Sequence, residues 1–421
     1  MFNFSFLNSF NKKEVILFTI LYLSLLISFI IGENSTGGAI LDYANQKKAS
    51  QAFADNFLET FLNYDNFGTR HSPLLIIFLS FFEKLNIQDN IIRLIHLHLS
   101  LLLPLSFGLI LRAKYKFIDT KSILILVGII FLSPTFRSLS IWPDSRILGL
   151  AVFCLSIYFF LRFQNTSKYK YCILNVCLCI LSSYISPNFA VFSIYFFYKF
   201  FIFYKNSPSR YLFIIFINLI FALPFLYYVL ILDVNFLNQS AATNFDGNTI
   251  FFLNLFNNFS LISSILVFYL LPFLLTKVIQ INTKLEISKL ILALIISLIA
   301  FYYFDYRYEY TGGGIFFKIS YFFFKNNYLF YLLCFISIFI LLKIFQINYE
   351  NIFLFFLILI NNPQVTVYHK YYDPFLMVVF FSLLSLKTDI NRLKTNLNVI
   401  IIYLFFFIFL IINNIKFLWT I

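Results

Sequence analysis

Ionisable residues are scarce in this sequence, so the few that gather beside polar turns are the first candidates for chemistry. Asp42 closes the stretch Gly32-Glu33-Asn34-Ser35-Thr36-Gly37-Gly38-Ala39-Ile40-Leu41-Asp42, just beyond the first long apolar run and ahead of a helical pattern. A carboxylate there reads as a helix N-cap or as a general base for a hydroxyl group, and the two are compatible. In Arg70-His71-Ser72-Pro73-Leu74 a guanidinium and an imidazole stand immediately before a helix that Pro73 can start. A cation at a helix N-terminus suits an anion such as phosphate; the alternative is headgroup anchoring by Arg70. The stretch Ser133–Arg146 carries a second acid, Asp144, with Arg146 two residues on as a ready partner.

Two later stretches join these. Asp305-Tyr306-Arg307-Tyr308-Glu309-Tyr310-Thr311-Gly312-Gly313-Gly314 alternates charge with tyrosine and ends in glycines, as a lid or an acceptor-binding loop would. No Gly-Lys-Ser/Thr follows, which excludes a phosphate-binding P-loop. Tyr368-His369-Lys370-Tyr371-Tyr372-Asp373-Pro374 sets polar donors and an acid at the mouth of an apolar run, where the tyrosines alone read as an aromatic belt. His96 and His98, two apart, face different sides of a helix and read as packed or lightly functional residues, not a metal pair. The five cysteines all lie in apolar runs and read as packing thiols.

The elements that must position these residues are membrane helices. Of 421 residues, 61% are hydrophobic and only 12% charged, with mean hydropathy +0.86; soluble chains carry about 25% charged residues. A water-soluble fold is excluded, and the length leaves room for one integral membrane domain over 1–421. Apolar runs near 15–31, 90–111, 122–134, 146–161, 171–186, 188–204, 211–232, 259–276, 290–304, 327–342, 347–360, 374–386 and 398–415 predict about 13 crossings. The run 73–86 is short for a span and reads as re-entrant or half-inserted. The first run reads as a signal anchor in preference to a cleaved signal peptide.

Loop charge supports this count. With Lys12 and Lys13 inside, strict alternation puts 19 of the 31 bases but only five of the 18 acids on the cytoplasmic side, as the positive-inside tendency requires. The net charge of +13 is thereby explained without nucleic acid. The outer face receives the long loops 32–72, 233–258 and 305–326. In the first of them Phe53, Phe57 and Phe61 recur every four residues beside a polar row of Gln51, Asp55, Glu59 and Asn63, predicting an amphipathic helix flat on the outer interface.

The early acid, the interfacial helix, "RHSPL" with its short apolar run, and "SLSIWPDSR" together resemble the GT-C superfamily of polyprenyl-phosphate-sugar glycosyltransferases. That superfamily includes the protein O-mannosyltransferases and the lipid A aminoarabinose transferases. The likeness runs to about residue 160; beyond it the loop-and-span rhythm and "YHKYYDP" carry it. Asp42 stands alone where many relatives show an Asp-Glu or Asp-x-Asp pair, and Ser72 replaces one proline of a Pro-Pro-Leu.

The resemblance implies a GT-C-like all-α polytopic fold in a membrane, expected to be a bacterial inner membrane. It implies inverting transfer of a sugar from a polyprenyl-phosphate-linked donor to a hydroxyl of a lipid, glycan or protein acceptor, on the periplasmic or extracellular side. Asp42 would be the general base, and Asp144 would orient the acceptor or help hold a divalent cation. Arg70, His71, Arg307, His369 and Lys370 would be the candidates for stabilising the leaving phosphate. Two other classes compete: an O-antigen-type polysaccharide polymerase, whose dominant loop would fall later in the chain, and a lipid-oligosaccharide flippase or transporter, which would show internal repeats and midplane charges.

Overall fold

The structure, a computed structural model, describes residues 12–69, 71–115, 117–234, 255–282, 284, 286–308, 312–345, 348–362 and 366–418. It is all-helical, and the single domain expected from composition is divided internally into two compact units. One comprises 1–247 with 410–421, the other 248–409.

The first unit begins with α1 (Lys12–Ile31), which Gly32 ends at φ +66, with the Glu33 N–H donating to Ser28 O at 3.0 Å. This is the left-handed stop that glycine takes without steric cost. Asn34 then accepts the Ala39 N–H at 3.0 Å and opens α2 (Ala39–Asp55). The expected amphipathic stretch is broken at Asn56, whose side chain caps α3 (Phe57–Leu62) by accepting from the Glu59 N–H. The aromatic row splits accordingly: Phe53 is buried against Tyr64, while Phe57 is half exposed.

Ser72 and Pro73 start α4 (Pro73–Lys84) as cap and first helical residue. At about 1.5 Å per residue its 12 residues fall well short of a bilayer core of about 30 Å. Next come α5 (Asp89–Ser100) and α6 (Leu102–Lys114), which together make one 26-residue apolar stretch. After them α7 (Thr120–Ile130) bends by 68° into α8 (Pro134–Ile141). All eight residues of α8 are buried, so more than half of the polar stretch Ser133–Arg146 is a helix inside the protein. The unit continues through α9 (Ser145–Thr166), α10 (Tyr169–Ile185), α11 (Phe192–Phe203) and α12 (Pro208–Leu226).

The second unit holds α13 (Leu255–Leu275), α14 (Ile287–Tyr302), α15 (Gly314–Phe324), α16 (Tyr328–Phe345), α17 (Tyr349–Ile360) and α18 (Phe375–Phe381). It also holds the start of α19 (Asn396–Leu418). Gly312, Gly313 and Gly314 all have positive φ. A Cβ on Gly312 would lie 2.5 Å from Val367 O, and the Gly313 N–H donates to that oxygen at 2.8 Å. The glycines therefore serve close backbone approach at the start of α15.

Among the described residues seven helices are long and apolar enough to cross a membrane, or eight if α7 and α8 form one broken span. The remaining runs of the thirteen form shorter helices. The run 374–386 is helical only over Phe375–Phe381, about 10 Å at 1.5 Å per residue.

What fixes α8 is a buried ion pair. Arg137 donates through Nε to both Glu33 oxygens, at 2.9 and 3.1 Å, and through its other nitrogens to Phe131 O, to Ser24 and to the Ser28 hydroxyl. Asn414 adds a bond to Glu33 at 3.4 Å. A buried charge is tolerable only when paired and hydrogen-bonded this fully. Arg137→Met or Glu33→Gln alone is expected to cost about 3–5 kcal/mol, read as a lowered unfolding midpoint in detergent. The double variant should lose less than the sum of the two, and unchanged midpoints in the single variants would mean that the pair does not form.

Candidate active site

Three side chains singled out from the sequence come together in the first unit. Asp42 lies in the first turn of α2; the cap position belongs to Gly38, so the N-cap reading of Asp42 is replaced by an ion pair. Asp144 is the N-cap of α9, accepting the Arg146 N–H at 2.8 Å. His71 stands just before α4. Its carbonyl accepts from the Tyr64 hydroxyl at 2.8 Å, and the neighbouring Ser72 hydroxyl donates to Tyr184 O on α10. One ligand-type atom from each of Asp42, His71 and Asp144 lies within 4.8 Å of the others.

Arg146 joins the two acids. It grips Asp144 with both ends of its fork, Nε to Oδ1 at 2.8 Å and Nη2 to Oδ2 at 2.6 Å, and the same Nη2 donates to Asp42 Oδ2 at 2.8 Å. Bidentate pairing of this kind is the strong form of a guanidinium–carboxylate bond. Burial alone would raise the Asp144 carboxyl, but the Arg146 charge and hydrogen bonds, with His71 nearby, hold it well below the usual carboxylate range. A depressed value means that the stabilisation is present above the ordinary carboxylate pKa of about 3.9 and is lost only as pH falls through the folded value. Asp144 is therefore an anion at physiological pH.

The acids differ in access. The Asp144 side chain is 1% exposed and that of Asp42 is 30% exposed. Asp42 is the one that can meet a substrate, while Asp144 anchors Arg146. His71 Nδ1 lies 3.1 Å from the Ser145 hydroxyl, which ties the α4 start to the α9 start.

Behind the site α5 carries Asp89, Arg93 and His96, spaced four and three residues apart and so on one face. Asp89 accepts from the Tyr43 hydroxyl at 2.5 Å and from Lys47 at 2.8 Å, both on α2. Burial, with Asp89 beside it, pushes the Tyr43 phenol far above its ordinary value, so it remains a donor. Arg93 donates to Ile141 O at 3.2 Å and lies 3.6 Å over the Trp142 ring, a cation–π contact. His96 Nε2 accepts the Asp144 N–H at 3.4 Å, which leaves the ring proton on Nδ1 to donate to Ser140 O at 3.0 Å. A further bond from Trp142 Nε1 to Glu33 O at 3.0 Å holds the turn from the other side.

In the sequence Asp89 and Arg93 draw no notice, because they sit at and in an apolar run, and His96 reads apart from them. The signal was the recurrence of Asp89, Arg93 and His96 at helical spacing. Sequence reasoning also treated Arg146 as a partner of Asp144 alone.

The other expected phosphate ligands are placed as follows. Arg70 lies outside the described residues. Arg307, His369 and Lys370 belong to the second unit. There Arg307 is exposed, and Lys370 lies 5.2 Å over the Tyr368 ring. His369 accepts the Ile315 N–H at Nε2, 3.0 Å, and has the Tyr269 hydroxyl 3.3 Å from Nδ1.

Asp42, His71 and Asp144 are nitrogen and oxygen donors of the type that holds a divalent transition-metal ion. The Arg146 guanidinium, however, is already bonded to oxygens of both carboxylates, so the set as built does not fit a further dication. Chemically the group offers an accessible carboxylate for taking a proton, beside a fixed cation and an imidazole. Compared with known protein families, curated proteins and solved structures, the chain matches none.

His96→Phe keeps the ring volume but removes both hydrogen bonds, leaving the Asp144 N–H and Ser140 O without this partner. The expected cost is about 1–3 kcal/mol, measured as a shift of the unfolding midpoint in detergent. A variant as stable as the wild type would show that His96 does not hold the turn.

Proposed function

We propose that this chain is a GT-C-type glycosyltransferase of a bacterial inner membrane. It moves a sugar from a polyprenyl-phosphate-linked donor to an acceptor hydroxyl at the extracytoplasmic face, with inversion at the anomeric carbon. The observation that carries the reading is the meeting of Asp42 with Asp144, Arg146 and His71, drawn from three separate places in the sequence. The seven or more long apolar helices among the described residues support a membrane setting, in which a lipid-borne donor would be met.

In this mechanism the donor's lipid keeps the phosphate in the bilayer, and its sugar reaches the acids at the membrane rim. The acceptor hydroxyl attacks the anomeric carbon from the face opposite the phosphate. The new carbon–oxygen bond forms as the bond to phosphate breaks, and the hydroxyl proton passes to Asp42. Asp42 is suited to this by its exposure and by its fixed place in the first turn of α2. Arg146 holds one of its oxygens and so sets the direction of the other. Preorganised cations act where negative charge develops on the leaving phosphate. His71 is the candidate for this among the described residues beside the acids, with Arg70 adjoining it in sequence. Arg307, His369 and Lys370 remain candidates on sequence grounds.

Asp42→Asn is expected to reduce transfer by at least about 10²–10⁴-fold at wild-type membrane yield; retained activity would remove Asp42 from the mechanism. The reading as a whole is tested by mass analysis of envelope glycans and lipid-linked sugars with and without the gene. Accumulation of a lipid-phosphate monosaccharide on deletion is expected. Accumulation of oligosaccharide repeat units would point to a polymerase instead, and unchanged pools would overturn sugar transfer altogether.

A further inference from the structure

We infer that Arg146 is a resident cation standing where a divalent metal ion would bind, and that its guanidinium keeps the Asp42–His71–Asp144 group free of divalent ions. The inference goes beyond the proposed sugar transfer and rests on geometry alone. Three donors of suitable chemistry converge within 4.8 Å, two carboxylates and an imidazole. That would ordinarily mark a binding place for an ion such as Mn²⁺ or Zn²⁺. Yet a single nitrogen, Arg146 Nη2, already lies 2.8 Å from Asp42 Oδ2 and 2.6 Å from Asp144 Oδ2.

It therefore bridges the two carboxylates as a coordinated ion would. A metal bonded to those same oxygens, at about 2.0–2.2 Å, would sit against the guanidinium, cation to cation, in a setting where Asp144 is 1% exposed. Repulsion at such a distance is weakly screened away from water. The guanidinium is also fixed in place. Asp144 Oδ1 accepts both Arg146 Nε and the Arg146 N–H, at 2.8 Å each, so the residue is tied to the α9 start by its backbone as well as by its side chain. Arginine stays protonated throughout the physiological range, so this cation is permanent.

Arg146 thus performs part of what a metal would, bringing two carboxylates together and offsetting their mutual repulsion. It does so without the open coordination positions of a metal. A site built this way has no exchangeable ion to lose to a chelator.

The test is Mn²⁺ binding to the purified full-length protein in detergent, followed by electron paramagnetic resonance. Wild type is expected to bind no Mn²⁺ that depends on Asp144. Arg146→Gln should gain one Asp144-dependent ion, bound at least about tenfold more tightly than any residual binding in wild type, a change of the size that neighbouring groups exert on metal affinity. Asp144→Asn added to Arg146→Gln should abolish it. Asp144-dependent binding in the wild type as tight as in Arg146→Gln would overturn the inference, and so would a folded Arg146→Gln protein that binds nothing. If Arg146→Gln does not fold, Arg146→Ala decides. It also removes the cation, and it should bind Mn²⁺ more tightly than wild type; binding no tighter than wild type overturns the proposal. Because Mn²⁺ binding is read without sugar transfer, a protein lacking transferase activity leaves this result standing, and an active protein that binds Mn²⁺ sinks this inference alone.

Discussion

Two carboxylates brought within a few ångströms of each other in a partly buried setting repel, and one of them ordinarily takes up a proton. Here that outcome is prevented by a third charge. The Arg146 guanidinium is shared between Asp144, which is buried, and Asp42, which is not. Its placement depends on the rest of the first unit: α2 must present Asp42, α9 must begin at Asp144, and α4 must begin beside His71. Without the guanidinium the same helices would bury an acid stripped of its main partner.

Around that interaction the fold is organised as a set of clamps on short turns. Glu33 and Arg137 lock α8 to the end of α1, and the Glu33 carbonyl takes the Trp142 indole. Arg93 and His96 of α5 hold the carbonyls of Ile141 and Ser140. Ser72 ties the α4 start to α10. Apart from the Glu33–Arg137 ion pair, each is a hydrogen bond from a polar side chain to backbone in an otherwise apolar setting, where an unmade bond is costly. Charged residues are few in this chain, and several of those in the first unit hold these turns.

Much of this was legible. Composition alone excluded a soluble fold. Ser72-Pro73 announced the α4 start, because proline at the first helical position loses no hydrogen bond. Asp42, His71 and Asp144 stood out because charge was rare. The rest depended on distance in sequence. Nothing local relates Arg146 to Asp42, 104 residues earlier, or Arg137 to Glu33. For that reason Pro134–Ile141 read as part of a polar stretch, whereas its Arg137 and Ser138 find their partners inside the protein. Helix length was illegible for a different reason. Apolarity reports burial equally in lipid and in a protein core, so run 374–386 reads as a crossing although it holds seven helical residues. The break at Asn56 reflects a side chain that competes for backbone hydrogen bonds, which periodicity does not register.

The stripe on α5 has a mechanical corollary. Asp89 grips the helix that bears Asp42, while His96 grips the turn that bears Asp144. Membrane helices respond to bilayers of different thickness by tilting. A tilt of α5 is expected to carry both acids along as a pair, which would insulate their separation from the lipid composition around them.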